Sequence, residues 1–131
     1  MDNTKIRILV AEDEASLRDL LVLILEDEEY QVDAASDGSD AWELMNKNHY
    51  HILATDLYMP KMNGIELILA CQESFPQTKI ILLSGGGKEI EAEHGTRQVK
   101  YLGQELKVDV FLKKPCNLDD MLAAVERLLH E

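Results

Sequence analysis

A chain of 131 residues with 46% hydrophobic residues is long enough for one domain with a substantial core and short for two. Its net charge of −12, from 25 acidic and 13 basic residues, argues against direct binding to nucleic acid or anionic membranes, because both need basic surfaces. No apolar run approaches the roughly 20 residues of a membrane span, and no signal peptide is recognisable. We therefore expect a cytoplasmic protein in which Cys71 and Cys116 are reduced thiols.

Short apolar runs alternate with segments of helical periodicity along the whole chain. In chain order, the predicted elements are a strand at 5–11, a helix at 14–28, a strand at 30–35, a helix at 39–47, a strand at 51–55, a helix at 62–74, a strand at 79–84, a helix near 96–107, a strand at 108–113 and a last helix from Leu118 almost to the C-terminus. Strict alternation of five strands with five helices favours a parallel sheet covered by helices on both faces. We predict a single α/β domain over residues 1–131.

Polar side chains follow four of the predicted strands, at the carboxyl ends where an open parallel α/β sheet binds its ligands. They are Glu12, Asp13 and Glu14 after the first strand, Asp56 after the third, Ser84 after the fourth, and Lys113, Lys114 and Pro115 after the fifth. Each group alone has a simple structural explanation, since the acids could cap the first helix and stabilise its dipole. Ser84 could be a strand-end hydroxyl, Lys114 a solvated lysine and Pro115 a turn residue.

Gathered at one edge of the sheet, these groups predict a specific chemistry. Carboxylates on neighbouring strands repel each other, and a hard divalent cation with oxygen ligands, together with a lysine ammonium, would offset that repulsion. We infer Mg²⁺ as the cation. An acid cluster, a lysine and a hydroxyl around one carboxylate form a pocket for phosphoryl transfer, with Asp56 as the nucleophile and Lys114 neutralising charge on the transferred group.

The same residues resemble the motifs of the receiver domain of two-component response regulators, over essentially the full length of the chain. The matching residues are the acid pair Glu12-Asp13 after ILVA, the run DLYMPKMNG from Asp56 to Gly64, Ser84 closing the fourth strand, and FLKKP from Phe111 to Pro115. The resemblance implies a flavodoxin-like (βα)5 three-layer sandwich with a parallel five-stranded sheet of order 2-1-3-4-5. That order places Asp13 and Asp56 at neighbouring central strands.

The resemblance also implies roles for the acidic residues. Asp56 would be the phosphoacceptor, and Asp13 and Asp56 would be direct Mg²⁺ ligands. The backbone carbonyl of Tyr58 would be a third protein ligand, and Glu12 would act largely through bound water. Tyr58 and Gly86 would occupy the positions that, in this family, tune the lifetime of the phosphoryl group.

The remaining motif residues are expected to grip the phosphoryl group and to respond to it. Lys114 would contact the phosphoryl group, next to a cis Lys114–Pro115 bond, which an X-Pro pair adopts at a cost of about 0.5–1 kcal/mol. We prefer Lys114 to Lys113 because it directly precedes the proline. Ser84 would turn to hydrogen-bond a phosphoryl oxygen, and Phe111 would rotate inward as the switch aromatic. The alternative for Phe111 is an ordinary core residue.

The segment between Ser84 and Lys114 departs from the family pattern, because Lys114 lies 30 positions after Ser84, which exceeds the usual spacing. We expect an extended loop over 85–95, either a solvated loop or a modified partner surface or lid. The stretch GGGK at 85–88 lacks the spacing of a phosphate-binding P-loop and follows the fourth strand instead of the first.

The function implied is that of a phosphoacceptor, not an enzyme with a small substrate, which takes its phosphoryl group from a histidine kinase or a histidine phosphotransfer protein. It would switch binding of a downstream target through the face formed by the helix near 96–107, the strand at 108–113 and the last helix. One alternative is a receiver-like module that binds partners without phosphorylation, and the intact acid, serine and lysine set weighs against it. Another is a small flavin- or nucleotide-binding protein, which 5% aromatic residues make a weak candidate.

Overall fold

A computed structural model of the chain describes residues 2–85, 89–115 and 117–131, so the predictions for Gly86 and Cys116 lie outside the described residues. The elements, in chain order, are a 3-10 turn at Asn3–Lys5, β1 at Arg7–Ala11, α1 at Ala15–Asp27, β2 at Gln31–Ala35, α2 at Gly38–Lys47, β3 at Ile52–Asp56, α3 at Gly64–Ser74, β4 at Lys79–Ser84, β5 at Ile90–Ala92, β6 at Gln98–Tyr101, β7 at Gln104–Lys107, β8 at Val110–Lys113 and α4 at Leu118–Leu129. In the parts of the chain that the structure describes, no helix has the length and apolar character needed to cross a bilayer.

The main sheet has five parallel strands in the order β2-β1-β3-β4-β8, which is the predicted order 2-1-3-4-5 when strands are counted within this sheet. Alternate residues of each strand enter two separate cores. In β4, for example, Ile80 and Leu82 face the core beneath α2 and α3, while Ile81 and Leu83 face the core beneath α1 and α4. The flavodoxin-like fold class is therefore confirmed, with all strand ends that carry the predicted polar residues at one edge.

The helix predicted near 96–107 is wrong, because this part of the chain forms a second, three-stranded antiparallel sheet in the order β5-β6-β7. Val99, Leu102 and Leu106 have helical spacing, but in the structure Val99 and Leu106 are paired across the β6–β7 hairpin and buried. Leu102 lies at the hairpin tip and is 66% exposed. The described residues thus contain four α-helices, and a small sheet occupies the place where a fourth helix was expected.

The hairpin tip offers a test of this correction, because Leu102 and Gly103 both have positive φ, at 51° and 77°. Two-residue turns of this kind favour Asn-Gly, and a left-handed conformation costs a leucine about 1–2 kcal/mol. Leu102→Asn should therefore raise the free energy of unfolding by about 1 kcal/mol, measured by urea denaturation. A helix over 96–107 would give the opposite sign, since asparagine is a poorer helix former than leucine.

The outer edge of β8 is covered by the segment 94–96, which runs antiparallel to it. The Gly95 N–H donates to the Phe111 carbonyl at 2.6 Å, and the Phe111 N–H donates to the Thr96 carbonyl at 2.8 Å. Phe111 itself is buried, in a core cluster that also contains Val99 and Leu106 of the three-stranded sheet. The predicted target-binding face was to begin with a helix near 96–107. Because that helix does not form, the prediction is wrong in this first element. The elements beside the outer edge and face of β8 are the segment 94–96 and α4.

Candidate functional site

The predicted polar residues meet at the carboxyl edge of the main sheet. Glu12 directly follows β1, Asp56 ends β3, Ser84 ends β4 and Lys114 directly follows β8. Because β1, β3, β4 and β8 are consecutive parallel strands of one sheet, their carboxyl ends lie side by side. The local sequence fixes this edge, since each of β1, β3 and β4 is a short, largely buried and mainly aliphatic run with a polar side chain at or directly after its end.

Three carboxylates form the centre of the site. Glu12, Asp13 and Asp56 can each place one oxygen within 4.8 Å of the others. Glu12 is completely buried and Asp56 is 8% exposed, whereas Asp13 lies open to solvent. Buried carboxylates are costly unless a positive charge accompanies them. A set of carboxylate oxygens without sulfur or imidazole ligands fits a hard divalent cation, so this cluster could bind a metal ion.

Lys114 supplies positive charge from the neighbouring strand. Its Nζ lies 2.5 Å from Glu12 Oε1 and 3.2 Å from Asp56 Oδ2. Burial would lower the pKa of Lys114, but the hydrogen bond to Glu12 and the charge of Asp56 outweigh it, so that this pKa is raised and the ammonium is retained. The Lys114–Pro115 bond is cis, and the neighbouring Lys113 is exposed.

The Asp56 carboxylate is oriented by its own loop. Its Oδ1 accepts a hydrogen bond from the Leu57 N–H at 2.8 Å, which leaves Oδ2 facing Lys114. The loop then closes through a 2.8 Å bond from the Gly64 N–H to the Leu57 carbonyl. A Cβ on Gly64 would lie 2.1 Å from the Asp56 carbonyl oxygen, so only glycine fits here without displacement of the backbone. This contact explains the glycine in the matched run.

Glu12 has further contacts besides Lys114, among them a 3.0 Å hydrogen bond from its N–H to the Ala35 carbonyl. Its Oε2 accepts a hydrogen bond from the Glu14 N–H at 3.3 Å. Its backbone carbonyl accepts a 3.0 Å hydrogen bond from Arg18 Nη1, one turn into α1. Arg18 was not identified from the sequence. The signal that could have identified it is its place one turn into the helix that follows the acid pair Glu12-Asp13. These contacts hold Glu12 in place beside Asp56.

Tyr58 connects the loop after β3 to the inserted three-stranded sheet. The ring is about half exposed, and its hydroxyl donates a 2.8 Å hydrogen bond to Glu89 Oε2, one residue before β5. Partial burial and the Glu89 carboxylate together raise the pKa of Tyr58 to about 12, so the phenol stays protonated and remains a donor. No sequence signal identified Glu89, since its position depends on a sheet that periodicity did not predict.

The two predicted switch residues occupy different environments. Ser84 is buried at the end of β4, and its carbonyl accepts the Lys114 N–H at 2.7 Å. Phe111 lies three residues before Lys114 and is 1% exposed, in the same core cluster as Val99 and Leu106 of the three-stranded sheet. The structure therefore brings Ser84 to the site edge and buries Phe111 in the core.

An open groove of about 520 Å³ borders the site between α1 and the loop after β8. It is lined by Glu14, Ser16, Leu17, Leu20, Leu21, Leu83, Lys114 and Pro115. Leu20 is 40% exposed in its wall, so the groove presents apolar surface directly beside Lys114.

The sequence of this chain matches known proteins along most of its length. The sequence profile described as the response regulator receiver domain matches residues 8–126. The transcriptional regulatory protein SrrA of Staphylococcus aureus is 34% identical over 122 residues, which cover 93% of this chain and 47% of that protein. The chain thus spans about half the length of the curated relatives it matches.

Solved structures agree with this assignment. The response regulator protein TrrA of Thermotoga maritima, solved in complex with Mg²⁺-BeF, is 27% identical, with a TM-score of 0.76 and coverage of 94% of this chain and 98% of that one. A CheY-like receiver domain protein of Methanospirillum hungatei has the same fold, with a TM-score of 0.78, 23% identity and coverage of 95% and 94%. The profile match, the relative and the fold agree, and the chain belongs to the response regulator receiver domain family.

Proposed function

We propose that this chain accepts a phosphoryl group on Asp56 from a phosphohistidine donor, in a reaction that requires Mg²⁺. The observation that carries the proposal is the placement of one buried carboxylate, Asp56, against both an acid cluster and an ammonium. Its Oδ2 lies 3.2 Å from Lys114 Nζ, and its carboxylate lies within 4.8 Å of oxygens of Glu12 and Asp13. A carboxylate nucleophile between a cation site and a lysine is suited to phosphoryl transfer.

The chemistry follows from the orientation of the Asp56 carboxylate. Oδ1 is held by the Leu57 N–H, so Oδ2 is the oxygen that forms the new bond to phosphorus. As that bond forms, the bond between phosphorus and the donor imidazole nitrogen breaks, and the nitrogen keeps the electron pair. Lys114, already next to Oδ2, would then contact the negative phosphoryl oxygens. Later attack of water on phosphorus releases phosphate and restores the carboxylate.

The proposed metal ligands are Asp13, Asp56 and the backbone carbonyl of Tyr58, with Glu12 acting largely through water. When bound, Mg²⁺ supplies positive charge to the phosphoryl oxygens. Asp13 is exposed beside the buried pair, which leaves room for the several waters that Mg²⁺ retains. The direct contact between Glu12 and Lys114 supports an indirect role for Glu12, since its oxygen is already paired.

Ser84 and Phe111 are the proposed switch. Ser84 would hydrogen-bond a phosphoryl oxygen, and Phe111 would report the change to the elements packed on it. Phe111 shares a core cluster with Val99 and Leu106 of β5–β7 and is hydrogen-bonded to the segment 94–96, so the proposed target-binding face includes these elements together with β8 and α4. A shift between two existing states needs only a few kcal/mol of preference.

The donor is proposed to be a histidine kinase or a histidine phosphotransfer protein. Its imidazole must come within bonding distance of Asp56, so the donor protein must cover the rim around Lys114, where the groove beside Leu20 offers apolar surface.

We further propose a single receiver unit over 1–131, a cytoplasmic location consistent with the buried thiol of Cys71, and no small-molecule turnover or direct nucleic-acid contact.

The test is the mass of the intact protein after incubation with acetyl phosphate, with and without Mg²⁺. We expect a gain of one phosphoryl group that requires Mg²⁺ and is absent in Asp56→Asn. In a second arm, Leu20→Asp should slow transfer from a phosphohistidine protein and leave uptake from acetyl phosphate unchanged.

Three results would contradict the proposal. A folded protein that gains no phosphoryl group from acetyl phosphate or from a kinase would favour an interaction module that works without phosphorylation. A gain that persists in Asp56→Asn would move the acceptor to another residue. Flavin absorbance in the purified protein would favour the third candidate, a small flavin-binding protein.

A further inference from the structure

His94, in the segment that covers the edge of β8, contacts both ends of the loop that carries Lys114. Its Nδ1 accepts a 2.9 Å hydrogen bond from the Lys113 backbone N–H, at the end of β8. Its Nε2 lies 3.0 Å from Asp120 Oδ2, in the first turn of α4. One imidazole therefore spans the stretch from Lys113 to Asp120, with Lys114 inside it.

These two contacts define the state of the ring. A backbone N–H can only donate, so Nδ1 of His94 must carry a lone pair and no proton. The proton of the neutral ring then sits on Nε2 and is donated to the Asp120 carboxylate. Asp120 is held in turn, since its own N–H donates a 2.7 Å hydrogen bond to the Asn117 side chain that caps α4. The ring joins two fixed points, a strand end and a helix start.

The backbone around Lys114 is held from two sides. Toward the sheet, the Lys114 N–H donates to the Ser84 carbonyl at 2.7 Å. Away from the sheet, the Lys113 N–H is held by His94. The Lys114 ammonium is held at its far end by Glu12 and Asp56, and these two backbone contacts fix the other end, from which the side chain reaches them. The chain places this support in the segment that departs from the family pattern.

We propose that His94 is a positioning residue for Lys114, fixing the loop from which the ammonium reaches the phosphoacceptor. This inference rests on the proposed function, in which Lys114 contacts the phosphoryl group. His94 touches neither Asp56 nor any proposed metal ligand in the hydrogen bonds of the described residues. Its effect must therefore appear in phosphoryl uptake and not in metal binding.

The experiment compares the 131-residue chain with its His94→Ala and His94→Asn variants. The rate of phosphoryl uptake from acetyl phosphate is measured by intact mass at saturating Mg²⁺, and Mg²⁺ affinity is measured separately by calorimetry. His94→Ala should lower the uptake rate about fivefold, the value of one hydrogen bond, with unchanged Mg²⁺ affinity. His94→Asn should recover most of the rate, because its Oδ1 can accept the Lys113 N–H as Nδ1 does.

The matched control is His49→Ala, an exposed histidine just before β3, at the opposite edge of the sheet, which should leave uptake unchanged. Nitrogen NMR of the wild type should find His94 with Nδ1 unprotonated. Wild-type uptake in His94→Ala, or a parallel loss of Mg²⁺ affinity, would overturn the inference. Failure of the proposed function is distinguishable, because the wild type itself would then gain no phosphoryl group.

Discussion

Lys114→Ala should lower the rate of phosphoryl uptake at Asp56 by about 100-fold or more, the usual effect of removing one group that stabilises developing charge. The reason is the geometry of the ammonium, which lies 3.2 Å from Asp56 Oδ2 and therefore next to the oxygen proposed to attack phosphorus. Uptake is measured as the mass gain with time from acetyl phosphate. Mg²⁺ binding should persist, since the lysine is not among the proposed ligands.

The same substitution should strengthen the dependence of folding on Mg²⁺. Without the lysine, the buried Glu12 carboxylate loses its 2.5 Å partner, and an unpaired buried charge is strongly destabilising. Mg²⁺ should then raise the unfolding temperature of Lys114→Ala more than that of the wild type, because the cation takes over the neutralising role. Its affinity should not fall, since a competing positive charge has been removed.

Lys113→Ala is the matched control, because it removes the same side chain one position earlier. Lys113 is exposed, and its contact with His94 is made through its backbone N–H, which alanine keeps. This variant should take up phosphoryl groups at the wild-type rate. A defect in Lys113→Ala with normal uptake in Lys114→Ala would show that the assignment of the two lysines is reversed.

Much of the main sheet and most of the acid–lysine cluster could be predicted from the sequence. Buried parallel strands are mainly aliphatic runs, and a charged residue marks the end of such a run, as Asp56 does for β3. The topology then follows from the resemblance, and it brings Glu12 and Lys114 together from positions 102 residues apart. The strands, their ends and the motifs could be predicted because each depends on a local sequence pattern.

The inserted sheet could not be predicted in the same way, because its pattern is ambiguous at short range. Val99 and Leu106 are seven residues apart, a spacing that fits two turns of a helix as well as a pair across a hairpin. The signal that could have distinguished a hairpin from a helix was Gly103, because a glycine directly after Leu102 fits a two-residue turn with positive φ. The roles of Glu89 and His94 were hidden for the same reason, since Glu89 directly precedes β5 and His94 lies between β5 and β6, in the region that was predicted wrongly.

Gly64→Ala should lower the free energy of unfolding by about 3 kcal/mol, at the upper end of the cost of overpacking, because the added Cβ meets backbone and not a movable side chain. It would lie 2.1 Å from the Asp56 carbonyl oxygen and 2.9 Å from Leu57 Cα. The only relief is a shift of the loop that orients the Asp56 carboxylate. The folded fraction should therefore also take up phosphoryl groups more slowly than the wild type.

Helix propensity and the close contact predict opposite effects of Gly64→Ala on stability, since Gly64 is the first residue of α3 and alanine is the better helix former. Propensity alone would make Gly64→Ala neutral or stabilising in urea denaturation, and that result would contradict the close approach to Asp56. The control is Gly85→Ala, where the added Cβ meets none of the described atoms within 4 Å. That variant should keep its stability, so a loss confined to Gly64→Ala identifies contact with the phosphoacceptor backbone as the cause.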